Sequence, residues 1–356
     1  MTAFTSDSVP ASPASSNRPI AWWLLLCAAM VLAMAVIGAI TRLTESGLSM
    51  VEWKPLIGIL PPLSEAEWNR VFDLYKGTPE FRIFNNRMDL AGFQEIFWWE
   101  WFHRLWGQVI GFVFLIPFLR FWIQGRIAPA LRPKLAGLFL LGGLQGLVGW
   151  FMVKSGLVDQ PNVSHYRLAL HLSMAILIYA LLLRTALGLL DPQPLAGWRP
   201  EAAGLRRHAR WALGLVGVTI VWGAFVAGSR AGYAYNTFPL MEGHVIPPEI
   251  GTLTPWWHNP FENTAAIQLI HRTLALLSGL VVLVLAARVM LARLPARAAQ
   301  AATAAGGMVL VQIGLGIATL LTVVWIPVAA AHQAGAILVV SMLVWLLHEL
   351  HDTRRR

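Results

Sequence analysis

The residues from Glu95 to Gly107 bring together side chains that could do chemistry. A carboxylate, Glu100, precedes an imidazole, His103, by three positions, so the two share one face of a helix. Arg104 follows directly, and tryptophans stand at positions 98, 99, 101 and 106. A polar segment gives way here to an apolar run. Because ionisable groups are costly at the mouth of a membrane helix, this stretch is a candidate functional site.

The composition is that of a polytopic membrane protein. Of the 356 residues, 57% are hydrophobic and 13% are charged, and the mean hydropathy is +0.60, which excludes a soluble domain of this length. The sequence pI near 10.4 does not indicate a nucleic-acid partner. The basic residues lie in short runs between apolar segments, where orientation in a bilayer accounts for them. The single cysteine, Cys27, excludes an intramolecular disulfide and a CxxC redox motif.

Eight apolar runs are long enough to cross a bilayer, and we predict one helix for each, in an all-α integral membrane protein. The runs cover about 20–41, 98–121, 135–153, 168–190, 211–229, 265–288, 303–323 and 326–348. Residues 1–19, rich in Ser, Pro and Ala, are predicted to form a disordered cytoplasmic tail. Residues 349–356 are predicted to form a basic one.

Lysine and arginine set the predicted orientation. The connections 120–134, 184–210 and 288–297 are rich in these residues, whereas 154–162 and 230–264 hold one each. The segment 42–97 holds six, but also eight acids, and a loop of this length has little weight in the rule. Positively charged loops stay in the cytoplasm, so both termini should be cytoplasmic and the loops 42–97 and 230–264 should face outward.

This orientation fixes the depth of four histidines. His103, His171, His271 and His332 lie near the starts of the second, fourth, sixth and eighth predicted helices, all of which enter from the outside. The four imidazoles should therefore lie toward the outer, periplasmic side.

The chain contains an internal repeat of four helices. Both second helices carry His-Arg followed by a glycine eight positions after the histidine, at 103–111 and 271–279. Both third helices carry a Gln-Gly pattern, beginning at Gln145 and Gln312, and each fourth helix adds a histidine. Four spans per repeat make the halves parallel. We therefore predict two pseudo-symmetric four-helix bundles, over 20–190 and 211–348.

Two histidines on facing helices of a bundle suggest axial ligands to haem iron. The spacing suits neither zinc nor a di-iron site, since there is no HExxH motif and no ring of carboxylates. The alternative is that each histidine only hydrogen-bonds between helices. Arg104 and Arg272, which follow two of the histidines, could extend to the outer interface or pair with haem propionates.

Several motifs resemble those of the haem A synthase family. They are Glu-x-x-His-Arg at 100–104, Ile-His-Arg at 270–272, Ala-His-Gln at 331–333, and the outer-loop segments 41–50, 53–55 and 234–241. The match covers nearly the whole chain after the N-terminal tail. The form resembled is the proteobacterial and mitochondrial one, which lacks outer-loop cysteine pairs.

The resemblance implies an enzyme of the cell inner membrane that oxidises the C8 methyl of haem O to a formyl, giving haem A for cytochrome c oxidase. It implies haem b on His271 and His332 in the second half, and the substrate haem on His103 and His171 in the first. Glu100 matches the family's acid. The implied partners are haem O, haem O synthase, cytochrome c oxidase assembly factors, the lipid membrane and a second copy of the chain.

One difference between the halves supports this division from the residues themselves. Three positions before the histidine, the first half has Glu100 and the second has Gln268. Only the first half then carries a carboxylate that could move a proton or stabilise a developing cation. Two other functions stay open at this point: a bis-histidine cytochrome b that only transfers electrons, and a haem-carrying chaperone.

Overall fold

A computed structural model describes residues 13–52, 60–156, 164–192, 194 and 200–351. These residues form α-helices and short 3-10 turns, with no β-strand among them. The α-helices in chain order are α1 (Pro13–Leu43), α2 (Glu65–Lys76), α3 (Pro79–Ile83), α4 (Leu90–Ile123), α5 (Arg132–Gly156), α6 (His165–Leu190), α7 (Ala202–Gly228), α8 (Asn259–Glu262), α9 (Thr264–Leu291), α10 (Ala296–Leu321) and α11 (Ile326–Glu349).

Eight of the helices in the described ranges are long and apolar enough to cross a membrane: α1, α4, α5, α6, α7, α9, α10 and α11. The predicted all-α class and the number of spans are confirmed.

Several helix starts differ from the predicted ones, because hydropathy detects only the part of a helix that lies in hydrocarbon. Helix α1 begins at Pro13, so residues 13–19, which we predicted to be disordered, are helical. Helix α4 begins eight residues before its apolar run, where the Asp89 side chain accepts from the Gly92 N–H. Helix α7 begins at Ala202 rather than 211. Residues 1–12 and 352–356, the rest of the predicted tails, lie outside the described residues.

The spanning helices pack in two sets with matching neighbours. In the first set α1 packs on α4 and α6, and α5 packs on α4 and α6; in the second, α7 packs on α9 and α11, and α10 packs on α9 and α11. Across the two sets, α6 packs on α7, α1 on α11, and α6 on α11. Each neighbour in one set thus has a counterpart in the other.

The C-terminal ends of α1 and α7 meet through residues at matching places in the repeat. Glu45 lies seven residues after Gly38, and Arg230 lies seven after Gly223. Both have a left-handed backbone with φ of 56°, and their side chains form a salt bridge of 2.5 Å. Arg42 also donates to the Ala227 carbonyl at 2.9 Å.

The tightly packed core lies away from the histidines. In α9, residues 265–268 are buried and many of the residues in 278–289 are buried, but the turns between them, which carry His271, are partly exposed. In α11 most of the buried residues lie in 335–349, beyond His332.

The segment before α4 contains a compact aromatic cluster, whose structure could not be predicted from the sequence. Helix α2 packs on the start of α4 through Phe72, Tyr75 and Phe93, and α3 packs on α2. Trp68 and Phe81 are partly buried against this cluster.

Candidate functional site

The four histidines lie at one end of the molecule, each against a glycine of a neighbouring antiparallel helix. Each histidine is near the start of its helix, and each glycine is near the end of another. A Cβ added to the glycine would lie 2.9 to 3.1 Å from the histidine Cε1. The pairs are His103 with Gly38, His171 with Gly149, His271 with Gly223, and His332 with Gly316. A side chain at any of these four glycines would crowd the imidazole and make it shift.

The histidine-bearing helices occupy opposite corners of each set. Helices α4 and α6 both pack on α1 and α5, and α9 and α11 both pack on α7 and α10. With interaxial distances of about 8–10 Å between neighbours, helices at opposite corners lie roughly 11–14 Å apart. His171 contributes to the electrostatic environment of His103, and His332 to that of His271. The structure thus brings the histidines together in the two predicted pairs.

Three of the four histidines are held at Nδ1. The side-chain amides of Gln145 and Gln312 lie with Nε2 at 3.1 Å from the Nδ1 of His171 and His332, respectively. Each amide also donates to the backbone carbonyl of the same histidine, at 3.0 and 2.9 Å. His271 Nδ1 lies 3.2 Å from the Thr219 carbonyl oxygen, which can only accept, so this nitrogen carries the proton and leaves Nε2 as an acceptor.

His103 differs from the other three. Its Nδ1 is buried and has no hydrogen-bond partner among the described residues. A buried ring nitrogen without a partner is uncommon and indicates a functional constraint at this position.

Glu100 is buried, with 2% of its surface exposed, and contacts the segment that follows α1 rather than His103. Its Oε2 accepts from the Ser49 hydroxyl and from the Met50 N–H, both at 2.7 Å. Its Oε1 accepts from Arg104, which also donates to the Met50 carbonyl at 3.1 Å. Glu100 and Arg104, at i and i+4, therefore join helix α4 to the segment that follows α1.

Gln268 makes the corresponding contacts in the second half. It is equally buried, and its Nε2 donates to the Ala231 carbonyl at 2.7 Å. Arg272 donates to Gln268 Oε1 and to the Tyr235 carbonyl, both at 2.9 Å. The Nε of Arg272 is buried and lacks a partner in the described part of the chain, so this guanidinium keeps one donor for a ligand.

A second group of potential metal ligands lies at the opposite end of the molecule. One ligand atom each from Asp191, His348 and Glu349 falls within 4.8 Å of the others. Arg297 forms salt bridges with both carboxylates. The guanidinium already supplies positive charge here, so we interpret the group as a clamp between the ends of α6 and α11 and the start of α10.

Sequence reasoning identified the four histidines but not the groups that hold them. Gln145 and Gln312 were recognised only as markers of the repeat. Each lies four residues before the glycine that contacts the histidine, Gly149 or Gly316, and this equal spacing was the available signal, since a ligand histidine usually needs a second hydrogen-bond partner. Ser49 and Thr219 gave no signal, because their contacts lie about fifty residues away in the chain.

Comparison with known proteins agrees with this geometry. A family model described as cytochrome oxidase assembly protein matches residues 21–344. The haem A synthase of Rhodospirillum centenum is 57% identical over 96% of this chain and 91% of its own length. Those of Nitrosospira multiformis and Paramagnetospirillum magneticum are 49% and 47% identical, each over 94% of both chains. A match of this extent, over the segments that hold all four histidines and their glycines, means that the chain belongs to the haem A synthase family.

Proposed function

We propose that this protein is an oxidoreductase that converts the C8 methyl of haem O to a formyl, giving haem A for cytochrome c oxidase. The observation that carries the proposal is the arrangement of four histidines in two diagonal pairs, each with its Cε1 against a glycine of a neighbouring helix. Family membership supports the same activity.

The two pairs have different roles in this proposal. The first bundle, 20–190, takes the substrate haem between His103 and His171, and the second, 211–348, holds haem b between His271 and His332. Both sets have the same order of packed neighbours, which supports a pseudo-two-fold relation between the bundles. When bound, haem b supplies one-electron transfer. The protein holds the Nδ1 side of His271 with the Thr219 carbonyl, so Nε2 is the atom available for iron.

The residues around the pairs orient the ligands. Arg104 and Arg272 are proposed to pair with propionates, and the buried, unpartnered Nε of Arg272 supports this role. Glu100 is proposed as the fixed carboxylate of the substrate half. Ser49, Met50 and Arg104 hold it in one position, so it can stabilise positive charge that develops near His103 without reorganising.

The proposed location is the cell inner membrane, with both termini in the cytoplasm and the four histidines toward the periplasm. The uneven distribution of lysine and arginine over the connections supports this orientation. Haem O synthase, cytochrome c oxidase assembly factors and a second copy of the chain remain proposed partners.

Identification of the extracted haems tests the proposed activity against its alternatives. Haems from the purified protein would be separated and identified by mass. Haem A, or a hydroxylated haem O, is expected for a synthase. Haem b alone would instead indicate a cytochrome b, and unmodified haem O that passes to an acceptor protein would indicate a chaperone.

Glu100→Gln tests the carboxylate. We expect haem b and haem O still to bind, while haem A formation slows by roughly 100-fold, the scale of a removed acid–base or charge-stabilising group. Glu100→Asp should recover part of the rate. The matched control is Ser49→Ala, which removes a contact between Glu100 and the segment after α1 but keeps the carboxylate. An equal loss in both variants would assign Glu100 to loop anchoring instead of the reaction.

A further inference from the structure

A basic cavity of about 350 Å³ lies between α7 and α9, at the end of the molecule opposite the histidines. Its lining residues are Gly204, Arg207, His208, Trp211 and Arg288. A Cβ added at Gly204 would meet no atom within 4 Å, so the cavity is open on that side.

Two arginines give this cavity its charge, and His208 positions one of them. His208 Nε2 lies 3.1 Å from the Val281 carbonyl oxygen, which can only accept, so Nε2 carries the ring proton. Nδ1 therefore accepts from Arg288 at 2.9 Å, and the imidazole is neutral. Neither Arg207 nor Arg288 forms an ion pair with an acid among the described residues. Two uncompensated guanidinium groups thus line one cavity.

The cavity lies at the edge of the apolar part of the molecule. Arg288 ends the apolar run of α9, and Arg207 lies just before the run of α7. Trp211, which lines the cavity, is 75% exposed, and Leu291, three residues after Arg288, is 82% exposed. An exposed tryptophan beside arginines at the end of a spanning helix is typical of the level of the lipid headgroups. A ligand here can reach the arginines and at the same time lie along the apolar helix faces.

At the matching place, the first half of the chain lacks the histidine and one of the two arginines. Trp23 replaces His208 and donates to the Val113 carbonyl at 2.8 Å, the counterpart of the His208 contact with Val281. An indole has no second ring nitrogen, so it cannot accept from an arginine. The counterpart of Arg207 is another tryptophan, at position 22. The basic cavity is therefore a feature of the second half and not a consequence of the repeat.

We propose that the cavity between α7 and α9 binds the phosphate of an anionic phospholipid in the leaflet opposite the histidines. Guanidinium groups bind phosphate oxygens in bidentate fashion, and basic pockets between spanning helices bind anionic headgroups. The lipid tails would lie on the exposed apolar surface beside Trp211.

Native mass spectrometry of the full-length protein, released from bilayers containing equal amounts of phosphatidylglycerol and phosphatidylcholine, tests the site. The wild type should retain phosphatidylglycerol in preference to phosphatidylcholine. Each arginine near an anionic headgroup strengthens binding roughly fivefold, so Arg207→Gln with Arg288→Gln should weaken retention ~25-fold. Arg120→Gln, at the position in the first half that matches Arg288, is the control and should retain the lipid.

Three results would overturn the proposal. They are equal retention of both lipids by the wild type, unchanged retention by the double variant, and release of phosphatidylglycerol by excess inorganic phosphate, which would indicate a site for a free anion. Thermal unfolding in phosphatidylcholine alone checks that the double variant is folded. If the double variant is unfolded, lipid retention by Arg207→Gln alone tests the proposal, because the Arg207 side chain is exposed.

Discussion

At the scale of single residues, the loop contacted by Glu100 offers hydrogen-bond donors, and the loop contacted by Gln268 offers an acceptor. Glu100 accepts from the Ser49 hydroxyl and the Met50 N–H, whereas Gln268 donates to the Ala231 carbonyl. An amide at 100 would turn a donor toward donors, and a carboxylate at 268 would face an acceptor. The acid in only one half therefore has a structural reason as well as the proposed chemical one. The sequence displayed the difference but not its partners.

Glu80, in α3, should make stability depend on pH. Burial, together with Glu100 and Glu45 nearby, raises its pKa from 4.5 to about 8, although Tyr75 and Arg230 act in the opposite direction. Between these pH values the folded protein holds a proton that the unfolded chain has lost. The contribution of Glu80 to stability is therefore complete below pH 4.5 and declines as pH rises toward 8.

Glu80→Gln should flatten this dependence. The melting temperature of the variant, followed from acid to mildly alkaline pH, should fall less than that of the wild type in this window. Glu65→Gln, which changes an exposed carboxyl on neighbouring α2, should behave as the wild type. Parallel curves for Glu80→Gln and the wild type would show that Glu80 does not titrate in this range.

At the scale of helices, the glycine contacts control the histidines. Gly316→Ala would bring a methyl group 2.9 Å from Cε1 of His332 and displace the ring. Gly314, two residues earlier in α10, has nothing within 4 Å of an added Cβ, so Gly314→Ala is a matched control with the same gain in helix propensity.

We expect Gly316→Ala to weaken haem b binding at least about tenfold, the usual scale for a disturbed support of a metal ligand, and Gly314→Ala to leave it unchanged. The measurement is haem bound per protein by pyridine haemochrome absorbance. Full haem content in Gly316→Ala would mean that His332 does not need this close approach.

The helices were the most predictable part of the molecule. Twenty apolar residues in a row can only satisfy their backbone in lipid by forming a helix, so the eight spans followed directly. Their polar ends did not follow. The first turns of α4 and α9 depend on the caps at Asp89 and Asn263, which lie outside the apolar runs. The aromatic cluster of α2 and α3 was also missed, because packing between short loop helices leaves no periodic signal over so few turns.

At the scale of the whole molecule, each half should bind its haem independently. His271→Ala, or His332→Ala, should abolish haem b while the first half still takes up added haem O, because the two histidine pairs share no ligand. His258→Ala, an exposed loop histidine at the same end, is the control. The absorbance spectrum of each purified variant measures the bound haem. A full complement of low-spin haem b in His271→Ala would contradict the assignment.

The salt bridge between Glu45 and Arg230 has a consequence for how such a molecule can arise. In a two-fold dimer of identical chains, a residue on the axis faces its own copy, and a charge there would repel itself. Glu45 and Arg230 stand at matching positions with the same φ of 56°, yet carry opposite signs. Within one chain the two positions can hold different residues, so an acid can face a base where two identical subunits would place like charges together.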